Sequence, residues 1–248
     1  MNKKLVFLFI SISLLVSLKF YFLNVSADEI YYTNANNVSM TEEQYNFLGA
    51  MFWDGFQEYV PESLFNKYLT HGTFNSEIEQ VVYEDEPTRG YIHETNAKKL
   101  VMSKACSGGL CDISVTLRWK GIPHIKSYDV IGALLYGGVS LATGSSVYTF
   151  LGYSGGTITY TSPQFNGGGF GQSVKLQNST TNMIISQSFD VVGTGVVYAS
   201  YQHATQNISL ATSKKYTVGF GGYGGVFHFY GSAVGVYDQM GGVDMVIS

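Results

Sequence analysis

The chain has little positive charge, only two cysteines and no long apolar run beyond its first residues. Each shortage narrows the functional classes. Fourteen Lys and Arg against eighteen Asp and Glu leave no surplus of cations to neutralise phosphates, which argues against nonspecific nucleic-acid binding. The same balance argues against a broadly basic, membrane-adsorbing surface. Two glycine clusters occur, Gly167 to Gly171 and Gly219 to Gly225, but neither is followed by the Gly-Lys-Ser/Thr ending of a phosphate loop. Turns, bulges or close strand packing account for them better. His71, His93, His124, His203 and His228 form no close helical pair, and Glu84-Asp85-Glu86 lacks the alternating spacing of a calcium loop. No metal and no cofactor is therefore expected. For glycosidase chemistry Glu77, Glu79, Asp112 and Asp129 are available, without a distinguished pair. No fixed-period repeat is present.

The single apolar run lies at the start. Lys3 and Lys4 precede Leu5 to Leu18, and Val25-Ser26-Ala27 supplies the small side chains that a signal peptidase needs. Residues 1–27 therefore read as a signal peptide, leaving Asp28 first. The run is short of the roughly 17–25 residues that span a bilayer, and Lys19 interrupts it. No stable membrane span is expected after cleavage, and the expected location is secreted or at the extracellular surface. Cleavage removes Lys3, Lys4 and Lys19 but no acidic residue, taking the net charge from -4 to -7. In such a compartment Cys106 and Cys111 are expected to form a disulfide around Ser107-Gly108-Gly109-Leu110.

Composition divides the remainder. Residues 28–128 hold fourteen of the acidic residues, whereas residues 129–248 hold 22 of the 29 glycines and only seven charges. The organisation expected is an acidic, partly helical region over 28–105 and a Gly/Tyr-rich antiparallel β domain over 106–248, or one continuous domain. Thr41 and Gln44 are spaced as a capping box, and Tyr45, Leu48, Phe52, Phe56 and Tyr59 recur at helical intervals, predicting a helix over 41–59. Pro61 ends it and opens a second, with Leu64, Phe65, Tyr68 and Leu69 inward. Val81 to Tyr83 reads as a strand and Thr95 to Met102 as a short helix. From Asp112 the period becomes two: Ile113, Val115, Leu117 and Trp119 alternate with Ser114, Thr116, Arg118 and Lys120. Further strands are expected over 127–135, 145–153, 157–161, 173–177, 183–189, 195–201, 216–220, 226–229 and 243–247. The fold class is mainly β, an antiparallel sandwich (alternatively a barrel) with a small N-terminal helical region.

Gly152-Tyr153-Ser154-Gly155-Gly156 fits the nucleophile-elbow pattern, with Asp190 and then His203 or His228 in the matching order. It resembles the serine-hydrolase elbow of the α/β-hydrolase superfamily, which implies Ser154 as nucleophile, a histidine as base and Asp190 orienting it. An elbow turns into a helix, however, and Thr157 to Thr161 reads as a strand. A hairpin turn fits that context better, and enzymatic activity is not the expected role. Tyrosine, with a flat apolar ring and a polar hydroxyl, suits contact with protein or carbohydrate. Tyr153, Asn166, Tyr201 and Tyr223 lie beside expected loops or strand ends and form the candidate ligand-binding set. Asn37, Asn178 and Asn207 begin N-glycosylation sequons. The leading expectation is an extracellular binding protein that recognises protein or carbohydrate through aromatic surfaces. The alternatives are a serine hydrolase using Ser154 and a toxin or structural protein that self-assembles through β edges.

Overall fold

The computed structural model describes residues 31–85, 98–153, 163–177, 183–220, 225–238 and 240–248. The signal-peptide reading, Ser154, Tyr223 and the expected strand over 157–161 lie outside them.

Two large antiparallel sheets pack face to face. Sheet I has the order β3 (Ile78–Asp85), β4 (Lys98–Ser107), β5 (Leu110–Trp119), β11 (Met183–Val192), with β7 (Ser140–Leu141) and β8 (Tyr148–Tyr153) both pairing along the far side of β11. Sheet II has the order β15 (Gly242–Ile247), β12 (Gly195–Gln202), β6 (Tyr128–Gly137), β10 (Gly169–Lys175), β9 (Gln164–Asn166). The period-two alternation explains the sandwich directly. Cys111, Ile113, Val115, Leu117 and Trp119 of β5 face inward and join Ile131, Phe170, Phe189, Val197 and Met245 in one buried core. Where the sheets meet at one edge, Lys104 of β4 donates to the carbonyl of Val246 in β15, 2.8 Å away.

The outer faces are covered as well, giving four layers. Over sheet I lie α1 (Glu42–Met51) and α2 (Glu62–His71), joined through a 3-10 turn at Phe56–Tyr59. A two-stranded ribbon, β1 (Tyr31–Thr33) with β2 (Ser39–Thr41), leads into α1. Thr41 and Gln44 form the capping box that their spacing predicts. The expected single helix over 41–59 is instead interrupted after Met51. The chain turns through Gly55, whose φ of 99° suits glycine, and this brings Phe52 and Phe56 down onto Phe150, with Trp53 packed beside them. Over sheet II lie a short helix α3 (Leu210–Ser213) and the ribbon β13 (Tyr216–Val218) with β14 (Phe227–Phe229). Tyr216, Val218 and Phe227 pack there against Val130 and Leu134.

One element changes type. The short helix expected over Thr95 to Met102 is strand from Lys98 onward, because Leu100 and Met102 alternate into the core between two pairing partners, β3 and β5. β4 also crosses the 105/106 boundary expected between the two regions. Its hairpin with β5 turns at Gly108 and Gly109, both with positive φ (59° and 82°), as a two-residue primed turn requires. Cys106 and Cys111 face each other across this hairpin and are disulfide-bonded.

Candidate functional site

Because sheet I has a covering on each side, its outward-facing polar residues are buried beneath the helices and must find partners. Ser114 donates to the carbonyl of Met51, and the hydroxyls of Thr116 and Ser186 lie 2.7 Å apart. At the end of this row Asp112 of β5 stands directly opposite Asp190 of β11. Two like charges in that position repel one another. Lys67 of α2 answers them: its Nζ bonds Asp190, lies 3.1 Å from Asp112, and sits over the ring of Tyr68. Asp112 also accepts from Thr73 and lies 3.3 Å from Nδ1 of His71, while Ser145 Oγ donates to Asp190 over 3.1 Å. Burial, and then the hydrogen bond with Asp112, push Asp190 up to about 6 against the opposing charge of Lys67. Burial acts to raise Asp112 too, but the hydrogen bond with Asp190, Lys67 and Thr73 outweigh it and hold that carboxyl below its ordinary value. Ligand atoms of His71, Asp112 and Asp190 all lie within 4.8 Å of one another, a spacing able to hold a metal ion. Lys67 is the cation that the chain itself places there.

A second polar centre lies in the core. Asp129 of β6 accepts from the hydroxyl of Tyr201 and from the backbone of Ala204, with Nδ1 of His203 at 2.9 Å. Trp119 Nε1 donates to Tyr201 Oη over 3.2 Å, and Lys98 pairs with Asp238 while lying over the Trp119 ring. Burial, reinforced by the Asp129 charge, drives the Tyr201 hydroxyl far above its ordinary pKa. Each buried charge has an opposite or a donor, so this centre is satisfied within the chain.

Two surface features differ from these satisfied networks. On the outer face of sheet II, beyond the covering ribbon, Tyr136 of β6, Tyr198 of β12 and Phe220 form a triangle of edge-to-face rings. Their centroids are 4.9 to 6.3 Å apart. Tyr136 and Phe220 are half exposed (54% and 52%), and register places Val196 and the exposed Val246 beside Tyr136 on the same face. On the opposite side of the molecule, between the end of α1 and the outer face of β3, β4 and β5, runs a groove of about 400 Å³. Phe52, Val82 and Val101 give it apolar walls, and Arg118, Lys99 and Asp54 give it charge. The Nε of Arg118 is buried without a hydrogen-bond partner among the described residues. Burial lowers the pKa of this guanidinium, and Asp54 works the other way.

The residues singled out from sequence do not assemble into one site. Asp190 belongs to the cluster under α2, His203 to the Asp129 centre, and His228 is exposed on β14, paired with Thr217. Tyr201 is fully buried, so it serves the core and not a contact surface. Asn166 is also structural: its Oδ1 accepts from the Val218 amide over 2.6 Å, tying β9 to β13. Tyr153 ends β8 opposite Met183. Gly152 of the elbow-like motif faces Trp53, and a Cβ there would lie 2.6 Å from the indole. Packing therefore accounts for that glycine. Sequence reading missed Tyr136, Phe220 and Arg118 as candidate contacts. Arg118 was legible as one of two cations, with Lys120, on the outward face of the alternation that begins at Asp112.

No protein-family model matches the chain, and no curated protein matches it significantly. Among solved structures it shows similarity to the KRT10-binding region domain of the pneumococcal serine rich repeat protein PsrP. That alignment covers 51% of this chain and 88% of the other, with 11% identity and a TM-score of 0.29. A superposition of that quality establishes neither a shared fold nor a shared function.

Proposed function

We propose that this is an extracellular binding protein that engages a partner through the aromatic platform of sheet II. The observation that carries the reading is the triangle of Tyr136, Tyr198 and Phe220, two of its rings half exposed, on the part of sheet II's outer face that the ribbon leaves uncovered. Large half-exposed rings next to exposed Val246 form the kind of apolar centre that interfaces use, while a solvated sheet face ordinarily carries polar side chains. The mixture of aromatic and aliphatic groups favours a protein surface over a flat sugar ring. The disulfide supports an oxidising compartment.

The test uses a panel of purified surface glycoproteins, native and enzymatically deglycosylated, against the immobilised wild type and a Tyr136→Ser/Phe220→Ser variant. Saturable binding that the double variant loses and deglycosylation leaves intact is the expected result. Binding lost on deglycosylation would reassign the platform to carbohydrate. Equal behaviour of wild type and variant across the panel would refute the platform.

A further inference from the structure

We infer that the groove between α1 and sheet I is a second binding site, for a small carboxylate with an apolar tail. It lies on the opposite outer face from the aromatic platform and is independent of that reading. A volume of about 400 Å³ falls within the roughly 300–1,000 Å³ of ordinary small-molecule sites. Its walls combine an apolar stretch with one charged end, the mixture such sites require.

The chemistry of that end selects the ligand. Every other buried or half-buried cation described above has a counter-charge in contact: Lys67 has Asp112 and Asp190, Lys98 has Asp238, and Lys104 has Glu79 at 3.1 Å. Arg118 differs. Asp54 contributes an electrostatic attraction, but no hydrogen bond from a described residue reaches the guanidinium, and its Nε is shut off from solvent. Arg118 as a whole is only part-buried, and a planar carboxylate offers two acceptors that match the part of its guanidinium fork left reachable from the groove. Lys99, half-buried and 3.4 Å from Glu84, lies at the same groove. A neutral ligand would leave the Arg118 charge unmatched, and a small hydrophilic anion would leave the exposed Val82 wall unused.

Isothermal titration calorimetry with octanoate, octanamide and acetate tests this on the intact protein. The expected result is saturable binding of octanoate, with octanamide and acetate each weaker by at least about tenfold. Arg118→Gln, which keeps the stem but removes the charge, should weaken octanoate by about 10- to 100-fold and leave octanamide unchanged. Absence of saturable octanoate binding would overturn the inference, as would equal affinity for octanamide or acetate. An unchanged octanoate affinity in a folded Arg118→Gln protein would overturn it too. The three-ligand comparison on wild type stands even if that variant does not fold.

Discussion

Replacing Asp190 with asparagine should change how stability depends on pH, in a direction fixed by the cluster under α2. Asp190 is buried opposite Asp112, and the pair has a single ammonium, that of Lys67, between them. His71 from the same helix faces Asp112, and the hydroxyls of Thr73, Ser145 and Ser188 complete the surroundings. The folded chain holds a proton on Asp190 up to about 6, while the unfolded chain releases it near the ordinary value of 3.8. Between those values the native state binds more protons, so stability is lost as the pH rises through the interval. At about 1.4 kcal/mol per pH unit the full loss is about 3 kcal/mol. Asp112 acts oppositely and lower: its depressed pKa contributes stability above 3.8 that disappears as the pH falls further. Asparagine cannot titrate, so Asp190→Asn should escape the loss between pH 4 and 6. Urea unfolding at half-unit pH steps measures this as the stability difference between variant and wild type, which cancels the titrating groups that do not touch Asp190 and leaves the Asp190–Asp112 pair. The difference should shift in favour of the variant by about 2–3 kcal/mol from pH 4 to 7. A flat difference, or a slope of opposite sign, would refute the reasoning.

Two further outcomes follow from packing and cross-linking. Gly152→Ala would place a methyl 2.6 Å from the Trp53 ring and should cost about 1–3 kcal/mol, with an altered tryptophan emission; unchanged values would show that Trp53 has room to move. Replacing Cys106 and Cys111 together by serine opens a very short loop and should lower stability by about 2 kcal/mol in urea titration, with the same β-sheet circular dichroism. Loss of that signal would mean that the hairpin depends on its bridge.

Much of the framework was legible because its signals are local. The alternation from Ile113 to Trp119 names the inward face of β5 without help from any other segment, and Thr41 with Gln44 marks a helix start by spacing alone. The signals that failed were those decided at a distance. Residues near Leu100 suit either state, and only pairing with β3 and β5 makes them strand. Tyr201 and Tyr136 look alike in sequence, yet one reaches Asp129 in the core and the other stands beside Phe220 in solvent. Register, not residue type, separates them. Arg118 is a similar case, since an outward cation on a strand gains meaning only once a helix closes over it.

The contact between Lys67 and Asp190 joins residues 123 positions apart. It therefore constrains the order of assembly during synthesis. The helices over 42–71 emerge before β5 and β11, the two strands that carry the aspartates on which Lys67 rests. Until those strands arrive, Phe52, Phe56 and Phe65 have no sheet to cover them. A holding chaperone, or synthesis quick enough to make one unnecessary, is the demand that this ordering of elements places on the cell.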